Sequence, residues 1–188
     1  MQKSDINTIK QLLKNERCIA AGECGLDYDR MFSTRENQIA ALKQQIEIAE
    51  ELNKPMFLHE RAAVSDFISI FSEHSDICEH SVVHCFTGTP QTLACYIQMG
   101  FYIGITGWIC DDRRADNLRI AVPYIPLNKL LIETDSPYLT PRSHGLNSTN
   151  TPCNLVYVIG EISRLTGKSV EEIIAKTKEN TERLFKLF

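Results

Sequence analysis

The sequence predicts an α/β fold built on parallel strands, and three observations carry that expectation. Five short apolar runs, RCIAAGE (17–23), PMFLHE (55–60), SVVHCF (81–86), FYIGITG (101–107) and LLIETD (130–135), have the length and the aliphatic or β-branched content of buried strands. Helix-like stretches alternate with them, which is the rhythm of βα units. No repeat, low-complexity tract or linker interrupts the 188 residues, so residues 1–188 are expected to form a single domain.

The elements follow in order. A helix over 6–13 opens the chain and feeds into the first strand. Ser33-Thr34-Arg35-Glu36 then offers an N-cap with an early glutamate, and Ile39, Leu42, Ile46, Ala49 and Leu52 recur at three- and four-residue steps. That spacing predicts an amphipathic helix ending near Asn53, before Pro55. Weaker patterns of the same kind cover 62–74, 90–99 and 114–122. A helical tail takes up 153–188, with a first stripe of Leu155, Ile159, Ile162 and Leu165 and a divider at Gly167-Lys168-Ser169. Five strands cannot close an eight-stranded barrel, which typically needs about 250 residues. The pattern therefore leaves an open sheet or a barrel lacking some of its strands.

Composition narrows the function classes. A net charge of -4 supplies no general basic field, so any nucleic-acid partner would have to be held by a local patch or by metal ions. The seven cysteines are an odd number, contain no C-x-x-C pair and lie mostly in apolar runs, which fits a reduced, cytoplasmic chain. The start MQKSDINTIK has no apolar core, and no run of about eighteen apolar residues occurs, so neither secretion nor a membrane span is expected.

The ionisable residues gather at the strand ends. The first run ends in Glu23, the second carries His59, the third His84, and the fifth ends in Glu133 and Asp135. In parallel α/β folds ligands bind at that end. Alternation along the fifth strand would put Leu131, Glu133 and Asp135 on one face, with Thr134 turned away. Taken singly, a strand-end histidine is more often a hydrogen-bonded core residue, and a carboxylate after a strand is often only a helix cap. As a set, imidazoles and carboxylates without thiolates suit a divalent ion such as Mg, Mn or Zn, and hydrolysis is the natural reaction class. Asp135 is the candidate to accept or hold the proton of the attacking water.

Other features carry less. GECG around Gly22 and Gly25 is not a dinucleotide fingerprint. Gly88, Gly104 and Gly107 allow close backbone approach, though plain turns explain them equally well. Cys24, Cys85 and Cys110 are expected to pack, and His74 and His80 to be solvated. Arg61, Arg113, Arg114 and Arg142 could form a phosphate-facing rim.

AAGECGLDYDR, PMFLHER, VVHCFTGT, YIGITGWICDDRR and KLLIETDSPYLTPR resemble, in this order, the strand-end motifs of the TatD family of metal-dependent deoxyribonucleases. The resemblance runs over nearly the whole chain. It implies a TIM-barrel fold of the amidohydrolase type, a divalent metal and 3′-to-5′ exonuclease action on DNA, with RNA as a further substrate and DNA repair as the role. By motif, Glu23, His59 and His84 match metal ligands, Asp135 matches an aspartate that binds metal or acts in catalysis, and Glu133 lies in the same motif. Glu60 and Thr151 depart from the family's usual residues, and the family carries strands and often an H-x-H pair ahead of GECGLD. On that reading the chain is the C-terminal five βα units of a (β/α)8 barrel, incomplete at its first strands, with sheet edges open to self-association. Its partner would be single-stranded DNA 3′ ends. The alternatives are a metal-dependent ester or amide hydrolase such as an aminoacyl-tRNA deacylase, and an inactive remnant that binds a partner.

Overall fold

The structure is a computed structural model that describes residues 2–146 and 149–187. The chain divides into two compact units, one of Met1–His84, Met99–Phe101 and Leu184–Phe188, the other of Cys85–Gln98 and Tyr102–Arg183.

The first unit begins with helix α1 (Lys3–Leu13) and continues through β1 (Ala21–Asp27), α2 (Arg35–Leu52), β2 (Met56–Arg61), α3 (Val64–Ser72), the single turn α4 (Ser75–Cys78) and β3 (Ser81–Val83). Its three strands are parallel and lie in chain order, with Ala21 opposite Met56 and Leu58 opposite Val83. Helix α2 forms where the spacing predicts it. The Thr34 side chain accepts the Asn37 N–H, and Asn53 ends the helix in the left-handed conformation. Its inner face buries Leu42, Ile46, Ile48 and Ala49. Phe67, Phe71 and Phe101 form a buried aromatic cluster with ring centroids 4.7–5.9 Å apart. Such rings contribute packing beyond the area they bury.

The second unit contains α5 (Pro90–Gln98), β4 (Tyr102–Ile105), a 3-10 turn at Gly107–Cys110, α6 (Asp116–Ala121), β5 (Leu130–Ile132), α7 (Leu155–Thr166) and all of α8 (Val170–Phe185) but its last two residues, which belong to the first unit. Strands β4 and β5 are parallel, with Ile103 opposite Leu130 and Ile105 opposite Ile132. All four residues of β4 are buried, as expected for a strand covered on both faces. Gly167 adopts the left-handed conformation that ends α7, which places the divider of the helical tail as expected. Residue 188, the last of that expected tail, lies outside the described residues.

Four strand expectations need correction. The third and fourth runs are strand only over Ser81–Val83 and Tyr102–Ile105, short of the expected 81–86 and 101–107, because Cys85 has a positive φ of 47° and Gly107 opens a 3-10 turn. The first strand does not run over 17–23 but begins at Ala21 and continues through Gly25 to Asp27. Its glycines look like turn signals, yet they serve close strand approach. The fifth strand stops at Ile132, so Glu133 and Asp135 lie beyond it. Asp135 has a positive φ of 56°, and the face-sharing alternation expected of an extended strand does not hold there.

No helix among the described residues is long and apolar enough to cross a membrane. In the second unit the fully buried Asn180 uses its side-chain amide to hold the carbonyls of Leu127 and Leu130, each at 2.8 Å, where β5 begins. Replacing it leaves two buried acceptors without that donor. Asn180→Ala is expected to cost about 2–3 kcal/mol of unfolding free energy, measured by urea denaturation.

Candidate metal centre

In the first unit, Glu23, His59 and His84 come together. Each offers one ligand atom, and these atoms lie within 4.8 Å of one another. The Glu23 Oε1 atom is 3.2 Å from His59 Nδ1 and 3.9 Å from His84 Nε2.

Local chain geometry explains the convergence. Between Gly22 and Cys24 the register of β1 against β2 slips by one residue, so Glu23 has no partner on β2. Such a bulge re-aims a side chain that a regular ladder would fix. Gly25 then sits directly opposite His59. A Cβ at Gly25 would lie 1.8 Å from the His59 carbonyl oxygen, and one at Gly22 would lie 2.5 Å from that of Phe57. Only glycine permits this approach. His84 follows β3 directly and extends its pairing through an N–H donated to the Leu58 carbonyl at 2.8 Å. Its ring is buried and stacks at 4.8 Å on Phe57, whereas His59 is a quarter exposed and Glu23 half exposed. Glu23 also borders a cavity of about 330 Å³ whose other walls are Ile19, Ala20, Gly22, Phe57 and Phe185.

The electrostatics suit a positive charge here. The hydrogen bond from His59 holds the Glu23 carboxyl below its ordinary range, against the opposing effect of burial and with help from the nearby His84. His59 Nε2, meanwhile, lies 3.3 Å from Asp27 Oδ2. One imidazole thus stands between two carboxylates, and a neutral ring has only one N–H to give. A cation beside Nδ1 and Glu23 resolves that mismatch. Ligands about 2.1 Å from a shared ion lie no more than about 4.2 Å apart, and the separations of 3.2 and 3.9 Å from Glu23 to the two rings meet that limit. Glu23 can therefore share a divalent ion with either histidine.

Asp27 is the residue that the strand-end reading missed. Burial acts to raise its carboxyl, but the N–H groups of Arg30 and Asp29 together with His59 outweigh it and hold it below the usual range. The signal was present as the last letter of GECGLD, two positions beyond Gly25.

In the second unit, Glu133 accepts the Cys85 N–H at 2.7 Å, and its own N–H reaches the Ile105 carbonyl at 3.0 Å. Asp135 lies in the turn that follows, whose carbonyl accepts the Tyr138 N–H. Buried Asn150 secures that turn by donating to the carbonyls of Thr134 and Tyr138, a second role not foreseen from the motif around Thr151. Glu60, the other departure, accepts the Ala63 N–H at the start of α3.

Burial pushes the thiols of Cys24 and Cys110 up to about 12, so they pack as expected. His74 is not simply solvated, because its Nδ1 pairs with Glu50 at 2.9 Å. The candidate rim arginines are largely engaged: Arg61 binds Asp29 at 2.7 Å, while Arg113 and Arg114 both bind Asp111.

The chain matches the family described as TatD related DNase over residues 1–186. It belongs to that family. The TatD exonuclease of Erwinia tasmaniensis, named a 3′-5′ ssDNA/RNA exonuclease, is 42% identical over 183 residues, which cover 96% of this chain and 71% of the relative. Its namesake in Pectobacterium parmentieri is 44% identical, over 93% of this chain and 69% of its own length. Among solved structures, YJJV, a TatD homologue of Escherichia coli K12, superposes with a TM-score of 0.88 at 28% identity, covering 99% of this chain and 71% of that one. An uncharacterized amidohydrolase of Saccharomyces cerevisiae, at 21% identity and a TM-score of 0.80, shares the fold. The α/β parallel architecture is thus that of the TatD, TIM-barrel-like amidohydrolase fold, as the sequence resemblance implied.

Two outcomes follow from this geometry. Gly25→Ala is expected to push β2 away at His59 and to weaken Mn²⁺ binding at least tenfold by calorimetric titration, although no proposed ligand is altered. For Asp111, the hydrogen bonds from Arg113 hold the carboxyl well below its unfolded value of about 3.9. A depressed folded pKa gives stability that is complete above the unfolded value and is lost as the pH falls toward the folded one. Asp111→Asn is therefore expected to lose about 2 kcal/mol at neutral pH and to show a shallower decline below about pH 4 in urea titrations.

Proposed function

We propose that this TatD-family chain is a metal-dependent nuclease that removes nucleotides from the 3′ ends of single-stranded DNA, and of RNA, with Glu23, His59 and His84 as the metal ligands. The observation that carries the reading is the convergence of those three donor atoms within 4.8 Å. Its substrate follows from the relatives named as 3′-5′ ssDNA/RNA exonucleases.

When bound, a divalent cation such as Mg²⁺, or Mn²⁺ or Zn²⁺ in its place, supplies Lewis acidity toward a phosphoryl oxygen and lowers the pKa of water beside it. The chain's own residues do the rest. Glu23, held ionised by His59, contributes the negative charge that keeps a cation in place. His84, fixed by its backbone bond to β2 and its contact with Phe57, gives a ligand with little freedom to swing. Asp135, matched by its motif, takes the proton of the attacking water on a carboxylate oxygen as the phosphodiester bond breaks. Repair of damaged DNA is the role that suits such trimming, and a reducing cytoplasm suits seven free cysteines.

The test is a single-stranded oligonucleotide labelled at its 5′ end and incubated with Mg²⁺ or Mn²⁺. A ladder that shortens from the 3′ end is expected. Glu23→Gln and His59→Ala should each lower the rate more than the roughly 100-fold upper figure for losing an outer partner of a ligand. Cleavage that persists in EDTA, or that begins inside the strand, would overturn the reading.

A further inference from the structure

We infer that Asp27 is a positioning residue that biases His59 toward the Nε2–H tautomer and at the same time orders the loop after β1. The inference rests on the proposed ligand role of His59 and goes beyond it to the residue that makes the role available.

Register brings the two side chains together. Gly25 lies opposite His59 and Asp27 opposite Arg61, so Asp27 and His59 occupy the same face of the strand pair. Because Gly25 has no side chain, the ring meets the diagonal neighbour, Asp27, instead. The two oxygens of Asp27 then divide their work. Oδ2 lies 3.3 Å from His59 Nε2, while Oδ1 accepts the N–H groups of Asp29 at 3.0 Å and Arg30 at 2.8 Å.

The Asp27 backbone is itself held. Its N–H donates to Gln38 Oε1 at 2.8 Å, and Gln38 Nε2 donates to its carbonyl at 3.0 Å and to that of Ser33 at 2.9 Å. A carboxylate can only accept hydrogen bonds, so Asp27 draws the ring proton to Nε2, while Glu23 makes the same claim at Nδ1 from 3.2 Å. With a cation beside Glu23 that second claim falls away, and the lone pair is left on Nδ1. A ligand nitrogen needs that arrangement, and a partner on the other nitrogen commonly secures it.

Asp27→Asn separates the two tasks. The amide oxygen satisfies the N–H groups of Asp29 and Arg30, which keeps the loop, and the NH₂ group is left facing Nε2. His59 must then accept at Nε2 and carry its proton on Nδ1, toward Glu23. Ring ¹⁵N shifts of the metal-free protein at alkaline pH, with His59 assigned by comparison with His59→Gln, are expected to show a wild-type ring shared between the Nε2–H and Nδ1–H tautomers and an Nδ1–H ring in Asp27→Asn. Affinity for Mn²⁺, by calorimetric titration, is expected to fall about 10–100-fold, with the thermal midpoint little changed.

An unchanged tautomer overturns the inference, and so does a switched tautomer with unchanged affinity. A wild-type chain that takes up no Mn²⁺ would instead sink the ligand reading, while the ring shifts would still decide for or against Asp27.

Discussion

The candidate centre depends on how closely the backbones of β1 and β2 approach. A Cβ at Gly25 would overlap the His59 carbonyl, and one at Gly22 would crowd Phe57. The same few residues contain the register slip that leaves Glu23 unpaired. Without the slip, strand alternation would fix the direction of Glu23 by its place in the ladder. Without the glycines, the strands could not come near enough for the slip to bring Glu23 to the ring of His59. The geometry of this candidate centre is therefore set by the backbone first and by ligand chemistry second.

On that backbone sits an arrangement suited to a cation. Glu23 and Asp27 flank His59 at 3.2 and 3.3 Å, and both are acceptors only when ionised. Two such carboxylates beside one ring are tolerated where a positive charge compensates them. The gradient of exposure fits this view. His84 is nearly closed off, His59 is intermediate and Glu23 is open, so a cation held among them would face solvent on the Glu23 side.

Much of this was legible in the sequence, for reasons that differ between residues. Helix α2 could be placed closely because Thr34 and Asn53 are caps acting through local geometry, and Leu42, Ile46 and Ala49 repeat with the helical period. Glu23, His59 and His84 could be picked out because ionisable residues in apolar runs are rare enough to need a reason. Register could not be read in the same way. A one-residue slip leaves no mark in hydrophobicity, and glycine in a short apolar run reads as a stop signal, so β1 was placed four residues too early at both ends. Asp27 fell outside that misplaced strand and so escaped notice. At β5, the run LLIETD looks continuous, but the positive φ of Asp135 breaks the extended conformation on which alternation depends.

The charges also bear on how such a chain could hold a polyanion. Its net charge is -4, and three of the four arginines expected to form a rim are already matched. Arg61 faces Asp29, and Arg113 and Arg114 share the buried Asp111. The Arg61–Asp29 pair is nearly neutral beyond the screening length of about 8–10 Å, whereas Arg113 and Arg114 share one carboxylate and keep a net charge of about +1. The donors they place on Asp29 and Asp111 shape loops. The acidic cluster at His59 has the opposite character. Glu23 and Asp27 carry two negative charges beside His59, and a divalent cation held by Glu23, His59 and His84 would offset them and let a phosphate oxygen approach at one point. Attraction tied to one point rather than spread over a basic surface favours a short contact with a strand over continuous backbone tracking. That is the kind of grip that trimming a chain from its end requires.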